Sequence, residues 1–115
     1  MAISVFISPS SYSVGYCTSA TMNLGYKPRA VAIRYRYSGT FYLYIFYNKD
    51  DSNSTYSVVA FIPNNNANTV SNAVPLGNSF SHWGRSSSFN ITENGFSLGG
   101  SLGPDYYNVN YIAVK

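Results

Sequence analysis

The sequence predicts an all-β chain folded as a two-layer antiparallel sandwich, and three observations carry that expectation. Two tyrosine-rich runs, AVAIRYRY (30–37) and TFYLYIFY (40–47), meet at Ser38-Gly39 and read as one long hairpin. Clusters of Asn, Ser, Asp, Pro and Gly break the rest into short apolar runs, which is strand and turn punctuation. No window keeps a helical period long enough to mark a helix. At 115 residues the chain reads as a single domain, 1–115, and a domain of that size buries roughly two thirds of its unfolded surface.

Taken in order, the first strand is expected at 12–17. In 30–37 Val31, Ile33, Tyr35 and Tyr37 share one face, while Ala32, Arg34 and Arg36 share the other, the period of two of a half-buried strand. The next run is apolar on both faces: Phe41, Leu43, Ile45 and Tyr47 alternate with Tyr42, Tyr44 and Phe46. A strand of that kind is expected to be covered on both sides, by a second sheet or by a partner subunit. Further strands are expected at 55–62, 69–74, 86–92, 95–98 and 109–114. About eight short strands make a jelly-roll-like sandwich. Residues 48–54 and 63–68 read as exposed loop tips, and Glu93-Asn94-Gly95 as a tight hairpin with Asn-Gly in a type I′ turn. Residues 75–88, PLGNSFSHWGRSSS, hold the only His, the only Trp and an Arg without a strand pattern, and read as a structured functional loop.

Composition narrows the function. Cys17 has no second cysteine to pair with, so a disulfide framework is excluded within the chain and a buried, inert thiol is expected. The N-terminal MAISVFISP lacks a basic region and a long apolar core, so no secretion signal is expected. No apolar run approaches the length of a membrane-spanning helix. The sequons at Asn53 and Asn90 are read as ordinary turn residues. Charged residues are 10% and aromatics 17% of the chain, so its surface is built of Tyr, Ser and Asn. That composition suits recognition or packing within an assembly. A net charge of +3 does not select a partner.

Catalysis needs positioned acids, bases or nucleophiles, and the chain offers only His82, Cys17, Asp50, Asp51, Glu93 and Asp105. A Cys17/His82 pair has no local signature around either residue, and the four acidic residues lie in turns where solvated side chains are the rule. No enzyme, cofactor or metal is expected: one His and one Cys do not make a zinc site, and NKDDSNS lacks calcium-loop spacing. Two binding chemistries remain. Arg29, Arg34 and Arg36, with Tyr35 among them, form a basic and aromatic patch of the kind that stacks bases, making a small nucleic-acid-binding β-barrel the alternative. Phe80, His82, Trp83 and Arg85 supply the ring and hydrogen-bonding groups that hold a saccharide. The plainer expectation is that Trp83 plugs one end of the sandwich.

Three segments, NLGYKPRAVAIRY, FNITENGFSLGG and the terminal DYYNVNYIAVK, resemble the C-terminal β-sandwich modules of bacteriophage tail-fibre, baseplate and receptor-binding proteins of Gram-positive hosts. The matching positions are Gly25 to Val31 for the strand entry, Ile91 to Phe96 for the hairpin, and Tyr111-Ile112-Ala113 for the closing strand. The resemblance implies that Pro28 leads into a strand, that Gly95 permits the turn and that Ile112 sits in the core. It also implies a non-catalytic component of the virion tail tip, made in the host cytoplasm. Its partners would be other tail proteins, a host-surface glycan and further copies of itself, a trimer by analogy. A non-structural phage protein that meets a host protein is the remaining alternative.

Overall fold

The long hairpin forms as its alternation dictates. In the computed structural model, which describes residues 11–52, 54–62 and 71–115, β3 (Ala30–Ser38) and β4 (Phe41–Asn48) pair antiparallel. Ile33 lies opposite Ile45 and Tyr35 opposite Leu43. Gly39 takes the turn at φ 52°, a conformation open to glycine, and a bulge between Arg36 and Ser38 absorbs the register shift. Around this hairpin stand β1 (Tyr12–Tyr16), β5 (Tyr56–Ile62), β6 (Ser71–Pro75) and β10 (Val109–Val114). They complete a six-stranded sheet in the order β1-β10-β3-β4-β5-β6. A second sheet runs β2 (Thr21–Asn23), β9 (Gly95–Gly100), β8 (Arg85–Thr92) and β7 (Ser79–His82). All strand pairs are antiparallel. The expected sandwich is therefore present, with ten strands among the described residues where about eight were legible.

The two sheets meet over one core. Val31, Ile33, Tyr35, Leu43, Ile45 and Val59 from the six-stranded sheet face Met22, Phe89, Phe96 and Leu98 from the other. Phe96 reaches across to Tyr111, with ring centroids 5.3 Å apart at 63°. Each fully buried aliphatic or aromatic side chain here contributes about 1.5–3 kcal/mol relative to an exposed one.

Several expectations change. Residues 75–88 are not one loop, because β7 and β8 pair through them and Trp83-Gly84 makes a two-residue turn. Both turn residues have positive φ, 50° and 76°, the signature of a type I′ hairpin. The unexpected strand is β7, where Ser79 and Ser81 carry no hydrophobic period, while β8 is the strand expected at 86–92, begun one residue earlier at Arg85. At the other hairpin the two-residue turn is Glu93-Asn94, with Thr92 opposite Gly95. Gly95 lies inside β9, and its role is clearance: a Cβ there would collide with the Met22 carbonyl of β2. Ile112 is not in the core. Strand β10 turns Val109 and Ala113 inward, both fully buried, and leaves Ile112 53% exposed on the opposite face. The expected loop at 63–68, residues 69 and 70 of the strand expected at 69–74, Asn53 and the N-terminal segment lie outside the described residues.

Candidate functional site

Two regions could meet a ligand or partner: one end of the sandwich, and the outer face of the six-stranded sheet. The end is built around Trp83. Its ring stacks on Tyr37 at 5.8 Å and 22°, and meets the edges of Phe41, Phe61 and His82 at 5.2–5.7 Å. Tyr37, Phe41 and Phe61 come from the ends of β3, β4 and β5, so the β7–β8 turn folds its tryptophan across the gap between the sheets. Trp83 is half-buried in this position.

His82 is 1% exposed. Its Nε2 lies 2.7 Å from the Ser87 hydroxyl, while its Nδ1 is buried without a hydrogen-bond partner. Burial, and then the charge of Arg85, hold the imidazole below its ordinary pKa, so the ring is neutral at pH 7. Phe80 is half-buried beside it at 5.9 Å. Arg85 is exposed: its guanidinium carbon lies 4.3 Å from the Tyr37 ring centroid and its Nη2 donates to the Tyr37 hydroxyl at 2.6 Å. Of the four residues singled out here, Arg85 is the exposed one. Tyr37, which the sequence did not single out, is what it rests on.

The basic and aromatic patch is only partly assembled. Arg34 and Arg36 share the exposed face of β3, but Arg29 precedes the strand and its Nε donates to the Lys115 carbonyl at 2.7 Å. Tyr35 is on the opposite face and fully buried. Its hydroxyl donates to Asp105 Oδ2 at 2.6 Å. Burial, the Asp105 hydrogen bond and the Asp105 charge push the phenol pKa up. The aromatic neighbours of the two arginines are instead Tyr44, opposite Arg34, and Tyr42, opposite Arg36. Arg34 sits 5.5 Å from the Tyr42 ring centroid. With Tyr16, Asn108 and Asn110 these arginines and Tyr42 enclose a depression of about 180 Å³.

The rest of that outer face is apolar. Successive strand registers align Val14, Ile112, Ala32, Phe46, Val58 and Ala73 in a single row across all six strands. Val14, Ile112, Phe46 and Val58 are 58, 53, 49 and 40% exposed. Along β4 the rings of Tyr42, Tyr44 and Phe46 stack at 6.2 and 6.5 Å. Ala32 leaves a dip between Ile112 and Phe46, flanked by depressions of about 350 and 270 Å³. The expectation that 40–47 is covered on both sides therefore holds on the core side, and among the described residues no element packs over the other.

The remaining chemistry is dispersed. Cys17 is 4% exposed and burial pushes its thiol up to about 12. Asp50 and Asp51 sit in the exposed turn after β4, and Glu93 pairs with Lys27 at 3.4 Å in solvent. Among the described residues no three metal-ligating side chains cluster, and no helix is long and apolar enough to cross a membrane. No family model, curated protein or solved structure matches the chain.

Proposed function

We propose that the chain is a non-catalytic module of a bacteriophage tail tip, which packs into an assembly through the outer face of its six-stranded sheet and meets a host-surface saccharide at its Trp83 end. The observation that carries this proposal is the open face: a row of apolar side chains across six strands, half exposed, beside a ladder of stacked aromatic rings. Contiguous exposed apolar surface of that kind is unusual on a free monomer and marks an interaction site. At the Trp83 end the saccharide would meet the Arg85 guanidinium and the edges of Tyr37 and Trp83, with the aromatic packing below holding them in place. The chain's segments that resemble phage tail modules supply the setting.

The nucleic-acid alternative draws less support, because Tyr35 is in the core and Arg29 is tied to the C-terminus, leaving two arginines on the face. Sedimentation of labelled protein with intact Gram-positive cells and with their isolated wall glycans, at low and moderate salt, tests the proposal. Retention that resists salt and is lost in an Arg85→Ala variant is the expected result. No retention, together with absence of the protein from purified virions, would overturn it, and steeply salt-dependent binding to oligonucleotides would favour the alternative.

A further inference from the structure

The open face is complementary to itself, and we infer that its occupant is a second copy of this chain, related by a two-fold axis that runs parallel to the strands midway between β3 and β4. This rests on the proposed role of the face as an assembly surface and names its partner.

Rotation about such an axis exchanges the two halves of the sheet while keeping each residue at its own height along the strands. β3 of one copy then lies over β4 of the other, β10 over β5, and β1 over β6. Within the apolar row, Phe46 of one copy sits over Ala32 of the second and Ala32 over Phe46. The projecting ring meets the dip left by the small residue, twice. Ile112 falls over Val58 of the second copy, and Val14 over Ala73.

The same operation places the cations well. Arg34 is level with Tyr44 and Arg36 with Tyr42, so each arginine of β3 comes level with a tyrosine ring on β4 of the second copy. Among the described residues no carboxylate lies within ion-pairing distance of either arginine. Sheets that stack face to face lie about 10 Å apart, with strands about 4.8 Å from their neighbours. The Cα atoms of the two Arg34 residues would then be roughly 11 Å from each other. Six strands span about 24 Å, and six residues along a strand about 20 Å. That footprint, on the order of 500 Å² before side-chain relief is added, approaches the ~800 Å² per partner of a standard interface.

Charge gives the pairing a signature. The described strands of the face carry arginines and no acid, and Asp51 lines only the depression beside Ala32 and Phe46; the arginines lie nearest the axis, so added salt screens their repulsion and tightens the pair. Salt would loosen binding to a nucleic acid or an acidic glycan on the same face.

Sedimentation velocity and light scattering of the full chain, from low to moderate salt, test the inference. The expected result is a two-copy particle whose affinity rises with salt and falls about 100-fold in Phe46→Asp, the scale of an interface hot spot. Ala32→Glu is expected to break it too. Both positions lie on the outer face, so unchanged circular dichroism and a cooperative melt show that these variants fold. Tyr107→Asp, at an exposed ring outside the six strands and their apolar row, leaves the pair intact. A single-copy particle at all concentrations, a three-copy particle, or a pair that survives Phe46→Asp overturns the inference. A single-copy protein that still sediments with cells would remove the pairing and spare the proposed function, and a pair that ignores cells and virions would do the opposite.

Discussion

Tyr35→Phe removes one oxygen from the centre of the fold, and the structure says how much that oxygen contributes and over which pH range. The phenol is fully buried and donates to the Asp105 carboxylate at 2.6 Å, a short bond to a charged acceptor. Such bonds contribute about 1.5–3 kcal/mol, so the variant is expected to lose about 2 kcal/mol at pH 7. The pH dependence follows from proton counts. In the unfolded chain the phenol ionises near pH 10; in the folded protein burial, the hydrogen bond and the Asp105 charge keep its proton on to higher pH. Above pH 10 the unfolded state therefore binds fewer protons than the native state. Wild-type stability falls there by up to about 1.4 kcal/mol per pH unit. Phenylalanine has no such proton, so the gap between the two proteins closes and reaches zero at about pH 11.5. Urea unfolding followed by the fluorescence of the single tryptophan, at pH 7 and from pH 9 to 11.5, measures both quantities. A gap that stays constant across pH 10, or none at pH 7, would refute the reasoning.

Three further outcomes are expected. Gly95→Ala should cost about 2–3 kcal/mol in the same assay, the scale of overpacking, because the new methyl would meet the Met22 backbone; Gly39→Ala, which meets nothing, should cost only the ~1–2 kcal/mol of a left-handed residue. His82 is held neutral in the folded state and takes a proton first in the unfolded chain, so stability should be complete above pH 6.5 and decline below it by up to ~1.4 kcal/mol per unit. A His82→Phe variant compared by urea titration from pH 7.5 to 5 should lack that decline. Trp83→Ala should lower stability by about 2–3 kcal/mol, less than the ~3–5 of a fully buried aromatic, and thermal melts should show it whether or not glycan binding is affected.

The parts of the fold that were legible in the sequence are those where alternation and sidedness coincide. In 30–37 Val31, Ile33 and Tyr35 are core while Arg34 and Arg36 face out, so both the strand and its orientation follow from the residues alone. Strand β10 shows where that logic stops: Val109, Ile112, Ala113 and Val114 are all apolar, and nothing local says that Ala113 faces the core while Ile112 faces out. Only the pairing of β10 between β1 and β3 decides it. β7 alternates Ser79 and Ser81 with Phe80 and His82, and small hydroxyls fit either side of a sheet, so no period marked it, whereas the expected strand at 86–92 is β8. At Gly95 Asn-Gly suggests a turn, while the collision that the glycine avoids comes from β2, more than seventy residues earlier. The candidate site was legible as composition rather than geometry. His82, Trp83 and Arg85 are indeed neighbours, but their supports Tyr37, Phe41 and Phe61 come from three other strands, and the apolar row exists only once five strand registers are known.

The inferred pair connects the two surfaces. Phe41, Phe61 and Tyr37 lie at the end of the six-stranded sheet that carries the Ser38-Gly39 turn, and Trp83 packs on them there. An axis parallel to the strands does not reverse that end, so both copies present Trp83 and Arg85 on the same side of the assembly. Antiparallel stacking of the two copies would point these ends in opposite directions. A surface bearing repeated saccharides would then meet two sites at once, and the second contact would form at the high effective concentration set by the first. Each site can accordingly be weak and the pair still be retained. Phe46→Asp is therefore expected to lower retention on cells by about 10²-fold or more without touching the Trp83 end, whereas binding of a monovalent wall fragment should be unchanged. Equal loss of both would mean that the saccharide sits on the sheet face itself and that the two surfaces are one.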